Sequence, residues 1–216
     1  MAAIADIIKS VRTILDHNLS STELEDLTEV QTLDLDTLIR DSVRPAAMQL
    51  MQMVPVELAD AKTESKQYQD GIAPPVELAL PDDFLRFVSC RLSGWAYPVT
   101  ELKAMGSREH LRQHGEFEGL KATNGKPVAV MNKDKIIMYG GASARLAECI
   151  YIGMPDMDGT GIEIGGRLYD PLCYIIAALA CECLKDTQKS QYMIQTARSL
   201  MTSAERAEEQ TIMTNT

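Results

Sequence analysis

The sequence predicts an α+β chain, mainly α, in which N- and C-terminal helices form a helical bundle that carries a small β-rich insertion. Three observations lead to that class. Apolar residues recur at helical spacing near both ends of the chain, whereas the middle switches to period-two alternation and turn dipeptides. The apolar side chains are mostly Ala, Leu, Ile and Met. Met is abundant at 12, while Trp, Phe and Tyr number 1, 3 and 7, a balance that suits helix packing better than a large sandwich. The length of 216 residues allows one core with an inserted subdomain. The expected division is a bundle from 1–60 and 168–210, an insertion from 72–166, and a flexible tail from 211–216.

The first helix is predicted over residues 3–17, where Ile4, Ile7, Ile8, Val11, Ile14 and Leu15 share one side and Asp6, Lys9 and Arg12 the other. From Thr13 to Ile39 there is no Lys or Arg, yet Asp16, Glu23, Glu25, Asp26, Glu29, Asp34 and Asp36 all occur. That stretch reads as a solvated acidic connection, with a surface for a basic neighbour or a DNA-repelling rim as the alternative. A second helix is predicted from about Asp34 to Val54. Pro45 inside it removes a donor and crowds the preceding turn, so a kink or break is expected near Val43–Arg44. The polar stretch from Ala61 to Gly71 reads as a loop.

Val76, Leu78 and Leu80 then alternate with Glu77 and Ala79, a strand signal. Pro81-Asp82-Asp83 is turn chemistry, and Phe84 to Cys90 is again apolar. Ser107 is placed to cap a short helix reaching His114. Asn124-Gly125 leads into short strands at Pro127–Met131 and Lys135–Tyr139, and a further strand is predicted at Ala147–Gly153. Asp158 to Gly166 reads as a loop. Asp170-Pro171 is a helix-start signal, with Asp as cap and Pro at the first helical position.

The helix that follows is apolar nearly all round, from Leu172 through Ile176 and Leu179 to Cys183, so most of its sides must be buried. A bundle this small is expected to need helices of adjacent copies to cover it. A last amphipathic helix follows through Met193, Ala197, Leu200 and Ala204, with fraying beyond Glu209.

The net charge of −10 argues against nonspecific duplex binding, which depends on clustered Lys and Arg. Cys90, Cys149, Cys173, Cys181 and Cys183 are odd in number and lack CxxC pairing, so they read as buried hydrophobes in a reducing cytosol. Asp6 interrupts any signal-peptide pattern, and the longest apolar run is about half of the ~20 residues that span a bilayer. A soluble product made in the cytoplasm, with no membrane association, is expected.

No arrangement for catalysis emerges. His110 and His114 have the four-residue spacing of metal ligands on a helix, but Leu111 stands where a metalloprotease carries Glu. Gly159, Gly161, Gly165 and Gly166 are spaced like a phosphate-cradling loop, yet Arg167-Leu168-Tyr169 follows instead of Lys and Ser or Thr. Asp82 and Asp83 are adjacent, which on extended chain aims them at opposite faces. Trp95, beside Gly94 and Pro98, reads as core. The expectation is therefore a non-enzymatic protein without cofactor or metal.

The run Leu80-Pro81-Asp82-Asp83-Phe84-Leu85-Arg86-Phe87-Val88-Ser89, with Arg91-Leu92 and Gly94-Trp95 through Val99-Thr100-Glu101-Leu102, resembles head-to-tail connector proteins of tailed bacteriophages. So do Lys126-Pro127-Val128-Ala129-Val130 and the Ala-rich helix from Asp170 to Leu184. The likeness covers about residues 30–205, mostly as order of elements, and brings no catalytic residue. It implies a structural virion protein in the neck: an adaptor ring subunit, commonly dodecameric, bridging the portal protein and tail or neck proteins. Genomic DNA would pass through its lumen without specific binding. Pro81, Asp82, Asp83, Phe84, Arg86, Arg91, Trp95, Asp170, Ile176 and Leu179 are the structural or interface candidates. The alternatives are another neck or tail-completion protein, a small enzyme with a dispersed site, and a binding module whose acidic stretch recruits a basic partner.

Overall fold

The computed structural model describes residues 1–18 and 29–214, with the backbone alone described at 16–18, 29–34, 70 and 204–214. In chain order its first elements are β1 (Ala2–Ala3), α1 (Ile4–Asn18), α2 (Glu29–Met53), β2 (Ala61–Ile72), β3 (Val76–Ala79), β4 (Phe84–Leu92) and β5 (Lys103–Ala104). Then come α3 (Arg108–Gln113), β6 (Val128–Asn132), β7 (Lys135–Tyr139), β8 (Ala144–Gly153), β9 (Gly161–Ile162), α4 (Gly166–Cys183) and α5 (Thr187–Thr214). Short 3-10 turns lie at Val56–Leu58 and Glu118–Leu120. The chain forms two compact units, one of Met1–Asp60 with Met154–Thr216 and one of Ala61–Gly153.

In the helical unit, α4 is the central element. Helices α1, α2 and α5 all pack on it, which is why its sequence is apolar on every side. Leu168, Leu172, Ile175 and Ile176 are buried, and Ala177, Ala178 and Ala180 let the neighbouring backbones come close. Burying each large side chain stabilises the unit by about 1.5–3 kcal/mol. Helix α1 presents Ile7, Val11 and Leu15 to this core, and α2 presents Ile39, Val43, Ala46, Ala47 and Leu50. Arg12 Nε donates to Asp36 Oδ1 at 2.7 Å, tying α1 to α2.

The turn from α4 to α5 closes by two backbone bonds, Lys185 N–H to Glu182 O at 3.0 Å and Asp186 N–H to Cys181 O at 2.9 Å. Lys185 takes the left-handed conformation that this cap requires, with φ of 64°. Asp186 then caps α5 by accepting from Lys189 N at 3.1 Å.

The β unit holds two sheets. One has the order β2-β8-β4, the other β3-β7-β6-β5. All pairings are antiparallel except β5 with β6. A single apolar cluster draws on both sheets, with Val76, Leu78, Ile136 and Met138 from one and Cys90, Leu92, Ala147, Cys149 and Tyr151 from the other. Trp95 joins this core at 3% exposure, and its indole N–H donates to Gly140 O at 2.9 Å. Strand β2 lies at a sheet edge, where a polar strand is tolerated because only one side needs a partner.

Several expectations are overturned. The fold is a mixed α and β structure with substantial sheet, nine strands in three sheets among the described residues, and not a helical bundle with a minor insertion. The stretch read as a loop at Ala61–Gly71 is strand β2, so the β unit starts at Ala61 and not at 72, and ends at Gly153 and not at 166. Helix α4 starts at Gly166, so Pro171 lies inside the helix and Asp170 does not cap it. Helix α2 continues through Pro45, so it does not break there.

The predicted tail at 211–216 is helical as far as Thr214, and residues 215–216 lie outside the described residues. The acidic stretch falls partly outside as well, since residues 19–28 are not described. Most consequentially, α4 needs no second copy: Leu172, Ile175, Ile176, Ala177, Ala178 and Ala180 are each 0% exposed within one chain. The argument for a ring from an uncovered helix therefore fails.

Candidate interaction surface

The segment from Met105 to Lys121 in the β unit is held by polar contacts on its inner side and exposes apolar residues on its outer side. Ser107 Oγ caps α3 by accepting from His110 N at 3.3 Å. One helical face carries Arg108, Leu111, Arg112 and Gly115, while His110 turns inward and is 8% exposed. Gln113 fixes the returning loop: its side-chain nitrogen donates to Glu109 O at 2.8 Å and its oxygen accepts from Ala122 N at 2.8 Å.

The outer face is a groove of about 440 Å³ lined by Arg108, Leu111, Arg112, Gly115, Phe117 and Leu120. Leu111, Phe117 and Leu120 are 61, 76 and 57% exposed. Large apolar groups gathered at this exposure mark an interaction surface more than a monomer's ordinary exterior. No carboxylate lines the groove, and Glu118 nearby is engaged by Lys121 Nζ at 2.6 Å.

The two histidines do meet. Their Nε2 atoms lie 3.2 Å apart, and both rings stand edge-on to Tyr139 with centroids 6.2 Å away. Gly106 N–H donates to His110 Nδ1 at 3.2 Å, so the proton of neutral His110 sits on Nε2 and is donated to His114. The pair is a hydrogen bond between the two rings within this segment. Among the described residues no group of three or more His, Cys, Asp or Glu is gathered to hold a metal ion.

Asp82 and Asp83 separate, Asp82 being exposed and Asp83 half-buried. Asp83 accepts from Lys62 Nζ at 2.7 Å and from Tyr151 O–H at 3.0 Å. Burial alone would raise its pKa, but the Lys62 and Tyr151 hydrogen bonds and the Lys62 charge outweigh burial and hold it below the ordinary value. Burial, with the Asp83 hydrogen bond adding to it, pushes Tyr151 up to about 12. Pro81 O accepts from Phe84 N at 3.0 Å, closing the turn that presents Asp83, and the Phe84 ring packs 5.7 Å from Tyr151.

This is a framework joint, not a proton-transfer site. The depressed acid is committed to two donors, Lys62 and Tyr151. Arg86 is half-buried and Arg91 exposed on β4, Ile176 is in the helical core, Leu179 is half-buried, and Asp170 is exposed. The candidates thus fall in both units and converge on no single site.

The glycine-rich loop carries its own anion. Asp158 Oδ1 accepts from Thr160 N at 2.8 Å, Thr160 Oγ1 at 2.7 Å and Gly161 N at 2.7 Å. These bonds, the Thr160 hydroxyl first, hold its carboxyl below the ordinary range. The Thr160 and Gly161 amides are therefore taken by a carboxylate of the same loop. Asp158 instead positions β9 against β1, with Ala2 opposite Ile162. Cys90 and Cys149 are register partners across β4 and β8, and burial raises both thiols, Cys149 to about 11. Such thiols stay protonated and unreactive. Cys173 and Cys181 are also buried, but Cys183 is exposed, against the reading of five buried cysteines.

The sequence reading singled out histidines in this segment and passed over Leu111, Phe117 and Leu120. The available signal was three large apolar residues in a stretch otherwise made of Glu, Gly, Arg and Gln. No helix among the described residues is long and apolar enough to cross a membrane. In comparison with known proteins, the chain matches no protein family and no curated protein.

Proposed function

We propose that the chain is a structural virion protein of a tailed phage, a subunit of the head-to-tail adaptor ring between portal and tail. The observation that carries this reading is the exposed apolar groove of Leu111, Phe117 and Leu120 framed by Arg108 and Arg112, a surface suited to a macromolecular partner. The resemblance in the Pro81–Leu102 segment supports the particular role. Its residues are framework: the Pro81–Phe84 turn, the Asp83 joint and the Trp95 core contact hold the β unit in shape. Asp83 and Asp186 have both carboxylate oxygens, and Asp158 one, engaged by donors within the fold, as suits framework residues.

In this role the chain is made in the host cytoplasm and joins the neck, where it meets the portal on one side and tail or neck proteins on the other. Its net charge of −10 lets DNA slide past without sticking. The test is electron microscopy of virions carrying a tag on this chain. Label in a ring at the neck is the expected result, and label on the capsid shell, on the tail tip or nowhere in the particle would overturn it.

A further inference from the structure

We infer that the groove on α3 receives the acidic segment of residues 19–28 from a second copy of this chain, so that each subunit grips the next. The inference rests on the ring reading above and names the contact that would build the ring. Its first ground is charge. The groove presents Arg108 and Arg112 one helical turn apart with Leu111 between them and Phe117 and Leu120 beside them, and no carboxylate in its lining. Of the acids nearby in sequence, Glu109 is half-buried, Glu118 is paired with Lys121 and Glu116 is exposed, and none of the three lines the groove.

The second ground is the complementary pattern in the sequence. Between Thr13 and Ile39 the chain has no Lys or Arg, and Glu23-Leu24-Glu25-Asp26-Leu27 interleaves acids with leucines. That is the inverse of the Arg–Leu–Arg face. Leucines would cover the exposed groove floor while the carboxylates meet the two guanidinium groups. The third ground is symmetry. Groove and segment are different surfaces, so the contact is head-to-tail, the kind that builds a ring when the rotation from copy to copy closes.

Two full-length variants test this by native mass measurement, with circular dichroism confirming folding. One reverses the groove (Arg108→Glu with Arg112→Glu) and the other reverses the segment (Glu23→Lys, Glu25→Lys and Asp26→Lys). Each variant alone is expected to remain monomeric. Their mixture is expected to assemble past the dimer with equal numbers of the two variants, because the intact groove takes the intact segment and the reversed, acidic groove faces the reversed, basic segment. Wild-type assembly in either variant, or a mixture that stays monomeric, overturns the inference while leaving the ring reading standing.

If the wild-type chain alone is monomeric, the groove is tested separately. A labelled peptide of residues 16–36 is titrated into the full chain. Saturable binding that weakens about tenfold or more in the milder Arg108→Gln with Arg112→Gln variant supports the contact, and absence of binding to wild type sinks it.

Discussion

Lys62 and Asp83 form an ion pair at 2.7 Å that joins the edge strand β2 to the turn before β4. Tyr151 on β8, the strand between them in the sheet, donates to the other carboxylate oxygen at 3.0 Å. The three strands of this sheet are thus cross-linked through one acid, and its side chain is only 30% exposed.

This joint should make the β unit acid-labile in a defined window. The folded pKa of Asp83 lies below its ordinary 3.8, so its stabilising contribution is full above that value and is lost as pH falls through the folded pKa. Asp83→Asn should cost about 1 kcal/mol near neutral pH, a figure already discounted for solvent screening, and nothing at pH about 2. Urea unfolding of wild type and variant at both pH values measures this. A difference that persists unchanged in acid would contradict the assignment.

Lys185 occupies a left-handed position in the α4–α5 turn, where a side chain is strained and glycine is not. Lys185→Gly should stabilise the protein by about 0.5 kcal/mol, since relief of strain is partly offset by glycine's freedom in the unfolded chain. Thermal melts read the sign, and a lower midpoint would show that the Lys185 side chain has a compensating role.

Trp95 fills the core of the β unit and satisfies the carbonyl of Gly140 at 2.9 Å. Trp95→Phe removes the donor and part of the volume, leaving a buried acceptor unpaired. A loss of about 2–3 kcal/mol is expected, measured by denaturant midpoint at unchanged slope. A loss below half a kilocalorie would mean that water reaches Gly140.

The bond between His110 and His114 predicts one tautomer. Nitrogen-detected NMR should find His110 protonated at Nε2 and unprotonated at Nδ1, where Gly106 donates. Stoichiometric zinc should leave both ring signals in place. A zinc-induced shift of both rings would instead identify a two-histidine metal site.

Much of this structure can be read from periodicity. Helix α1 and strand β3 carry clean helical and alternating patterns, strand β7 is a short apolar run, and Ser107 stands where a cap must stand. Strand β2 escapes because its half-buried positions include Lys62 and Glu64, which an edge strand tolerates but which carry no apolar alternation. The start of α4 escapes because Gly165-Gly166 punctuates like a loop, while Asp170-Pro171 imitates a helix entry.

The all-apolar α4 tells that it is buried but not by what, and three helices of its own chain supply the cover. The groove is harder still. Leu111 lies on α3 and Phe117 and Leu120 on the following turn, so only the fold brings them together.

The central claim is that copies of this chain work by fitting to one another and to the portal. Native mass spectrometry of the purified chain, alone and after mixing with a tailed-phage portal protein, addresses this most directly. A closed ring, formed either alone or on the portal, is the predicted result. A chain that remains monomeric under both conditions would contradict the account.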